Sequence, residues 1–519
     1  MSTASRLISG SMAQWAQIGV TMIAQVVLVP IYLAHWSVEK YGIWLAIQGI
    51  MSVVTMLDMG YHTYLSFEFL KLAGNDKLLL SKSLWSALVI AVVSSLVQLL
   101  LITSIVYFGA MPFLFGAEDI ADSSTLTQAG VALMLQGLCW LLVWSLPGLM
   151  VKALAGYGYF ARTAWWSFTY AIIAAVSPII AVVLGGDLLH AALALTVCAL
   201  IYAFALYLDL FKLLKREGIR LVKPSFPLGW TYYRLSLPLL GKSVLENLRQ
   251  QGVRLVLAPL AGAAGLAAFS TMRTGANAAL QGLNTVIHPL VPDLMRFLHN
   301  RDQERSEAAF STIWVVVVFL VAPGIVVLQV VIEPFFPIWT HGKIAFNPML
   351  FATLSLGVLV YAVIQPAMAV VMGNNLTKVQ LAIAIVAAAM ALGLMFALVP
   401  LIGILGAGIA LLVAEIGAAA AYLHYAQKWL VRSGLKWPSR AFQIAMQSLA
   451  ICSASLLGMV IFPSYKWPVF ACSILAFIWN GWKYWQVLPE VAITSARNVI
   501  SKVPAIENLF FRGRMAEKK

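Results

Sequence analysis

Only 4 of the 519 residues are cysteine, and Cys139, Cys198, Cys452 and Cys472 each sit inside an apolar run with no pair spacing. That excludes a disulfide framework or a Cys-pair metal site and leaves packing as their role. Charge is equally scarce: 10% of residues carry it against 61% that are hydrophobic, with a mean hydropathy of +0.89. Soluble domains average about 25% charged residues, so that class is excluded. Catalytic signatures are missing too, with no GxxxxGK[ST], no HExxH and no convincing nucleophile elbow. The longest of the poorly charged loops runs roughly from Ala110 to Gln128, too short for a soluble catalytic domain. The expectation is a protein that is not an enzyme and needs neither metal nor cofactor.

Long apolar runs fill the chain instead. A helix needs about 20 largely apolar residues to cross the hydrocarbon. Fourteen such segments can be counted, centred near residues 22, 52, 95, 140, 173, 199, 248, 276, 322, 359, 388, 412, 452 and 475. The first is too long for a cleavable signal peptide and lacks a small-residue cleavage site. The net charge of +14 could point to nucleic acid, but its placement points to a bilayer. Lys71, Lys77 and Lys82 follow the second span, Lys152 and Arg162 the fourth, and Lys212, Lys215, Arg216, Arg220, Lys223 and Arg234 the sixth. Arg296, Arg301 and Arg305 follow the eighth, Lys428, Arg432, Lys436 and Arg440 the twelfth, whereas the alternate loops hold only Lys40, Lys343 and Lys466 as clear cases. This positive-inside alternation predicts a multi-pass chain with both termini cytoplasmic and no nucleic-acid partner.

Two halves can be superposed. Val27-Leu28-Val29-Pro30 near the end of the first span resembles Val256-Leu257-Ala258-Pro259 near the end of the seventh. With the prolines aligned, Gln17 falls on Glu246, Thr21 on Gln250 and Gln25 on Arg254. An even number of spans per half implies parallel repeats about an axis along the membrane normal, the competing reading being chance likeness between apolar helices. The basic stretch from Phe211 to Pro227 divides a first lobe, residues 1–226, from a second, residues 227–426. Residues 427–486 then form a helical hairpin and residues 487–519 a cytoplasmic tail. The same basic stretch suits anionic headgroups, which makes membrane lipids expected partners.

Residues 242–288 carry the most informative pattern. Lys242, Glu246 and Arg249 share a helical face with Asn247, Gln250, Gln251 and Arg254 beside them, while Val244, Leu245, Leu248, Leu255 and Val256 occupy the other arc. On the next segment Ser270, Arg273, Thr274, Asn277, Gln281, Asn284 and His288 recur every three or four residues as one stripe. A charge at the bilayer centre costs roughly 2.5–3.5 kcal/mol even on lenient scales, so both stripes should face protein or water. If the turn between the segments centres near Ala263, Arg254 and Arg273 lie at matched depth, on the order of 14 Å from it. One glutamate cannot balance three arginines and a lysine, which favours a cationic cavity over purely structural pairing. The arginine fork suits phosphate in particular, so Arg249, Arg254, Arg273 and Lys242 are the candidate anion ligands.

The first lobe is neutral by comparison. Ser11, Gln14, Gln17, Thr21 and Gln25 make a polar stripe on the first span, faced by Gln48 from the second. Such groups either bind sugar hydroxyls or hold helices together. Gln17, Gln25, Gln48, Asn277, Gln281 and Asn284 are the candidate sugar contacts. Asp58 and His62 read most simply as interfacial groups at the end of the second span. Glu415, inside Leu411-Leu412-Val413-Ala414-Glu415-Ile416-Gly417, is the candidate for ion coupling together with Glu246, with a structural hydrogen bond or salt bridge as the alternative. Trp36, Trp339, Trp437 and Trp467 read as interfacial belt residues rather than a sugar platform. The cluster Gly403-Ile404-Leu405-Gly406-Ala407-Gly408 lacks the lysine of a phosphate loop and suits close helix packing.

Leu28-Val29-Pro30-Ile31-Tyr32-Leu33, Tyr41-Gly42-Ile43-Trp44-Leu45 and Leu57-Asp58-Met59-Gly60 together resemble the amino-terminal signature of polysaccharide transporters, the Wzx-type flippases of the multidrug/oligosaccharidyl-lipid/polysaccharide superfamily. Gly373-Asn374-Asn375 and the run from Pro400 to Gly408 look like the second-half pattern. The resemblance implies an all-α integral membrane protein with two six-helix lobes in a MATE-like V around a central cavity. It also implies a bacterial inner-membrane location and outward movement of an undecaprenyl-pyrophosphate-linked glycan by alternating access. A polysaccharide polymerase and a chain-length regulator would be partners. The thirteenth and fourteenth spans are similar in arrangement to the extra pair of lipid II flippases, and a cation-coupled multidrug antiporter of the same fold is the other alternative. No family ligand position maps by motif onto Arg249, Arg254 or Arg273.

Overall fold

In the computed structural model the described residues, 3–73, 76–115, 123–374 and 376–489, are helical almost throughout. For residues 3–8, 10–11, 123, 160, 242–243, 245–251, 278–293, 296 and 299 only the backbone is described. The helices are α1 (Thr3–His35), α2 (Val38–Val54), α3 (Met56–Leu72), α4 (Lys77–Tyr107), α5 (Met111–Phe115), α6 (Ser123–Cys139), α7 (Leu146–Leu154), α8 (Phe160–Val183) and α9 (Leu188–Glu217). They continue as α10 (Phe226–His299), α11 (Gln303–Val316), α12 (Ala322–Trp339), α13 (Pro348–Gly373), α14 (Thr377–Ile402), α15 (Ile404–Arg432), α16 (Ser439–Ile461) and α17 (Lys466–Val487). π-helical turns at Trp140–Ser145 and Val317–Val321 join α6 to α7 and α11 to α12.

Local chemistry sets many of the boundaries. Asp76 and Asn347 accept the backbone N–H of Leu79 and Leu350 at 2.8 and 3.0 Å, capping α4 and α13. α9 starts on a capping box between Asp187 and His190 and stops at Gly218, whose φ of 76° is open to glycine alone without strain. α10 breaks at Gly262 (φ 73°, ψ 169°), one residue from the turn expected near Ala263. α2 and α3 meet at Thr55 with a bend of 42°.

Among the described residues eleven helices are long and apolar enough to cross a membrane, or up to twelve if the bent pair α2–α3 counts as one span. The expected fourteen are therefore not reached. Within α10 the described side chains qualify as one segment, Gly252–Asn277, bounded on both sides by residues of which only the backbone is described. α17 falls outside because Trp467, Trp479, Asn480, Trp482 and Lys483 interrupt its apolar residues.

The chain forms two compact units. The first comprises Met1–Gly275, Phe335–Phe346 and Ala384–Ala410, and the second Ala276–Pro334, Asn347–Ile383 and Leu411–Lys519. The first is packed around Tyr61, Leu65, Phe69, Leu84, Leu149 and Leu210, all essentially inaccessible. In the second, Trp314 donates to the carbonyl of Val363 at 2.8 Å and Tyr484 to that of Ser311 at 2.7 Å. In a medium without water, satisfying such groups internally is a condition of the fold.

Candidate binding cavity

The first unit holds a cavity of about 460 Å³, within the range of small-molecule sites, roughly 300–1,000 Å³. Its walls come from α1 (Gln25, Val29, Tyr32), α2 (Tyr41, Trp44, Gln48, Ser52), α6 and its π-turn (Gln136, Trp140, Trp144), α8 (Tyr170) and α10 (Arg254, Thr274).

Glycines bring α10 close enough to supply the cation. A Cβ on Gly42 would lie 1.9 Å from the carbonyl oxygen of Ala263, and one on Gly49 would lie 2.9 Å from Cβ of Arg254. Those two glycines, seven residues apart on one face of α2, let the backbones approach and carry Arg254 onto the cavity wall. Among the described residues, Arg254 is the sole charged group lining the cavity and no acid accompanies it. Arginine offers five donors and no acceptor, so its complement is an anion.

Two amides stand on the same wall system. Gln48 Nε2 donates to Gln136 Oε1 at 3.1 Å, which fixes the direction of both side chains. That leaves the buried Nε2 of Gln136 and the buried Oγ of Ser52 without hydrogen-bond partners, both on cavity-lining residues. Both atoms are buried within the wall rather than open to the cavity, and a buried polar atom left unpaired carries a desolvation cost. Aromatic rings make up much of the remaining lining, beside aliphatic residues such as Leu28, Val29, Leu45 and Leu195. Trp140 and Trp144 are stacked with centroids 6.4 Å apart at 21°, and Tyr170 meets Trp144 edge-on at 4.9 Å. Tyr32 and Tyr41 form a second stack, 5.7 Å apart at 23°.

Of the residues singled out from sequence, the structure brings together Gln25, Gln48 and Arg254, with Thr274 beside them. Gln17 is half-buried on α1 two turns before Gln25 and does not line the cavity. Arg273 does not line it either. It adjoins Thr274, and neighbours on a helix point about 100° apart, so only one of the two reaches the wall. Arg273 is engaged by a neighbour of its own. Asn277 is half-buried and belongs to the second unit. The side chains of Lys242, Glu246, Arg249, Gln281 and Asn284 lie outside the described residues. Glu415 is half-buried on α15 and makes a polar or electrostatic contact of its own.

Two sequence readings need correction. Asp58 is not an interfacial group: it is 1% exposed and accepts hydrogen bonds from Ser94, Ser95, Trp140 and Ser145. Trp36 and Trp339 are not belt residues. Both are buried, and their indoles donate to the carbonyls of Gly186 at 3.0 Å and Val26 at 2.7 Å. Val26 is the residue four before Pro30, whose ring nitrogen has no hydrogen to give it, so Trp339 satisfies a carbonyl the helix cannot. The aromatic lining went unrecognised because Tyr and Trp in apolar helices look the same whether they face core, lipid or cavity.

A second cavity, about 610 Å³, lies in the second unit among Gln329, Glu333, Pro348, Met459, Pro463, Lys466 and Trp467. Its one acid and one base already bond each other, Lys466 Nζ donating to Glu333, so it offers no spare charge among the described residues.

No family model matches the sequence and no curated protein does. Solved structures do match. The lipid II flippase MurJ, in an inward closed conformation, is 15% identical with a TM-score of 0.66 over 94% of this chain and 100% of its own. An inward-facing multidrug resistance MATE family transporter of the MOP superfamily is 14% identical, with a TM-score of 0.59 over 84% of this chain and 99% of its own. A mutant of the Vibrio cholerae MATE transporter VcmN is 16% identical, with a TM-score of 0.52 over 83% of this chain and 98% of its own. The chain is thus a multi-pass, all-helical membrane protein with the fold shared by MurJ and the MATE transporters.

Proposed function

We propose that this chain is a bacterial inner-membrane flippase that moves an undecaprenyl-pyrophosphate-linked oligosaccharide to the outer face by alternating access. The observation that carries the reading is the cavity's composition: one guanidinium with no other charge among the described lining residues, a hydrogen-bonded pair of amides, and stacked aromatics. The guanidinium suits the pyrophosphate, the amides suit sugar hydroxyls, and aromatic faces suit the apolar faces of sugar rings. The prenyl chain stays in lipid throughout. Arg249, Arg273 and Lys242 would extend the cationic path, and Asn277, Gln281 and Asn284 the polar one. Gln17 would meet sugars before Gln25 does.

The lack of an acid on the described cavity wall tells against a cation antiporter, whose cargo would need one. A lipid II flippase is the second reading, supported by the full-length fold match to MurJ, and it shares the prenyl-pyrophosphate chemistry. The test is Arg254→Ala in the native host. Lipid-linked repeat units should accumulate on the cytoplasmic leaflet and surface glycan should be lost. Unaltered surface glycan with arrested peptidoglycan synthesis would instead select lipid II as cargo, and no change in either would defeat the reading.

A further inference from the structure

Asp58 stands apart from the cargo chemistry. It sits on α3 one turn past the bend at Thr55, is 1% exposed, and no described cation lies within ion-pair distance of it. Its two oxygens are instead fully engaged by donors. Ser94 Oγ meets Oδ1 at 2.5 Å; Ser145 Oγ, Trp140 Nε1 and Ser95 Oγ meet Oδ2 at 3.0, 3.1 and 3.4 Å. These donors are all uncharged, and no described cation is in contact with the carboxyl.

We propose that Asp58 is a proton-binding site, loaded and emptied during the working cycle, and mechanically tied to the cavity through Trp140. Three features support it. First, three of the four donors are hydroxyls, which can reverse role. When Oδ1 takes a proton, that O–H donates to Ser94 Oγ, and the serine's own hydrogen turns toward a backbone carbonyl of the preceding turn. The same cage therefore serves both charge states. Second, Asp58 is the one carboxylate of this cage, whose other described members are three serine hydroxyls and an indole N–H that cannot ligate a cation. That is a poor set for a hard metal, which takes about six or more oxygens. Third, Trp140 lines the cavity and donates its indole N–H to Oδ2. It can only donate, so neutralising Asp58 weakens that bond and loosens the ring at the cavity wall.

The other titratable groups around the site fit a proton path. His62 lies one turn along α3, within Coulombic range of Asp58 and of Lys152 on α7, and its buried Nε2 has no hydrogen-bond partner. Tyr61 on α3 and Tyr233 on α10 also face Asp58, and Tyr157 packs behind α3 in the turn after α7. α2 carries Glu39, Lys40 and Tyr41 at its far end, and α4 presents only Ser94 and Ser95, its Lys77 and Lys82 lying three turns or more away. The site is distinct from Glu415 and Glu246.

The experiment is pH-difference infrared spectroscopy on the full-length protein in nanodiscs, which reads carboxyl protonation whatever the cargo. A band in the protonated-carboxyl region should appear on acidification and be missing in Asp58→Asn. Ser145→Ala, which removes one donor to the charged form, should move the midpoint up by about one pH unit or more. Trp140→Phe should move it in the same direction while retaining the ring. An unchanged band in Asp58→Asn, or a midpoint unmoved by both donor-removing variants, would overturn the site. Should Asp58→Asn fail to fold, Ser145→Ala and Trp140→Phe carry the test. Because none of these measurements involves a glycan, failure here leaves the flippase reading standing, and failure of that reading leaves this one.

Discussion

The two cavities of this protein differ less in size than in what their charges are doing. In the second unit Glu333 and Lys466 neutralise each other at a largely apolar wall. In the first, Arg254 stands among amides and aromatics, with no acid among the described lining residues. A paired charge in a helical membrane protein is accounted for by structure alone. An uncompensated one keeps its desolvation cost until something binds, so its retention points to a ligand. Charge count is thus a poor guide to function here and charge balance a good one.

The contrast is most exposed at Arg254. Arg254→Ala should lower delivery of lipid-linked glycan by about 10- to 100-fold, the worth of charge-assisted hydrogen bonds at roughly 1.5–3 kcal/mol. Arg254→Lys keeps the charge but loses the fork and should fall in between. The measure is the cytoplasmic-to-outer ratio of repeat units. Equal delivery in all three proteins would make Arg254 as structural as Lys466.

Next in size is the packing that presents Arg254. Gly42→Ala sets a methyl group 1.9 Å from a carbonyl oxygen that has no room to retreat, so it should destabilise the fold by about 1–3 kcal/mol. Gly49→Ala meets side-chain atoms of Arg254 rather than backbone, the nearest being Cβ at 2.9 Å. It should cost less stability than Gly42→Ala yet still reduce delivery, because it displaces the guanidinium. Thermal unfolding in detergent checks the first variant, and the ratio of delivery to Tm separates the second. The aromatic wall comes after these: Trp144→Leu should weaken binding of a soluble pyrophosphate-linked sugar by about two- to tenfold, given about 0.5–1.5 kcal/mol per aromatic contact beyond area.

How much of this could be read in advance follows from energetic cost. Arg254, Gln25 and Gln48 were legible because a polar group in an apolar helix is expensive and needs a reason. The turn near Ala263 was legible for a similar cause, since two stripes had to end somewhere and Gly262 allows it. Asp58 was misread because its distance from the next basic loop suggests an interface. The sequence does not display that α4 and a π-turn bring Ser94, Ser95 and Ser145 around it, although the adjacent serines in Val92-Val93-Ser94-Ser95-Leu96 were a signal. The aromatic walls gave no signal at all, because 11% of the chain is aromatic and burial costs such residues nothing. The fourteen spans counted from sequence are not confirmed, because tryptophans interrupt α17 and much of the polar flanks of α10 lies outside the described side chains.

The smallest effects concern charges that are paired. Glu333→Gln in the second cavity should change stability by less than about 1 kcal/mol, as half-exposed ion pairs do, and leave delivery untouched. Loss of delivery there would dissolve the distinction between the cavities. Lys40 and Asp187 supply the pH counterpart, bonded at 2.7 Å in the first unit. The hydrogen bond from the Lys40 ammonium holds the Asp187 carboxyl below its ordinary value of 3.8. A carboxyl whose native pKa is depressed stabilises the fold fully above its unfolded value and loses that contribution as pH falls through the native one. Tm should therefore hold down to about pH 4 and then decline, with this pair's share of the decline missing in Lys40→Met. Because Asp187 is nearly half exposed the difference should be small.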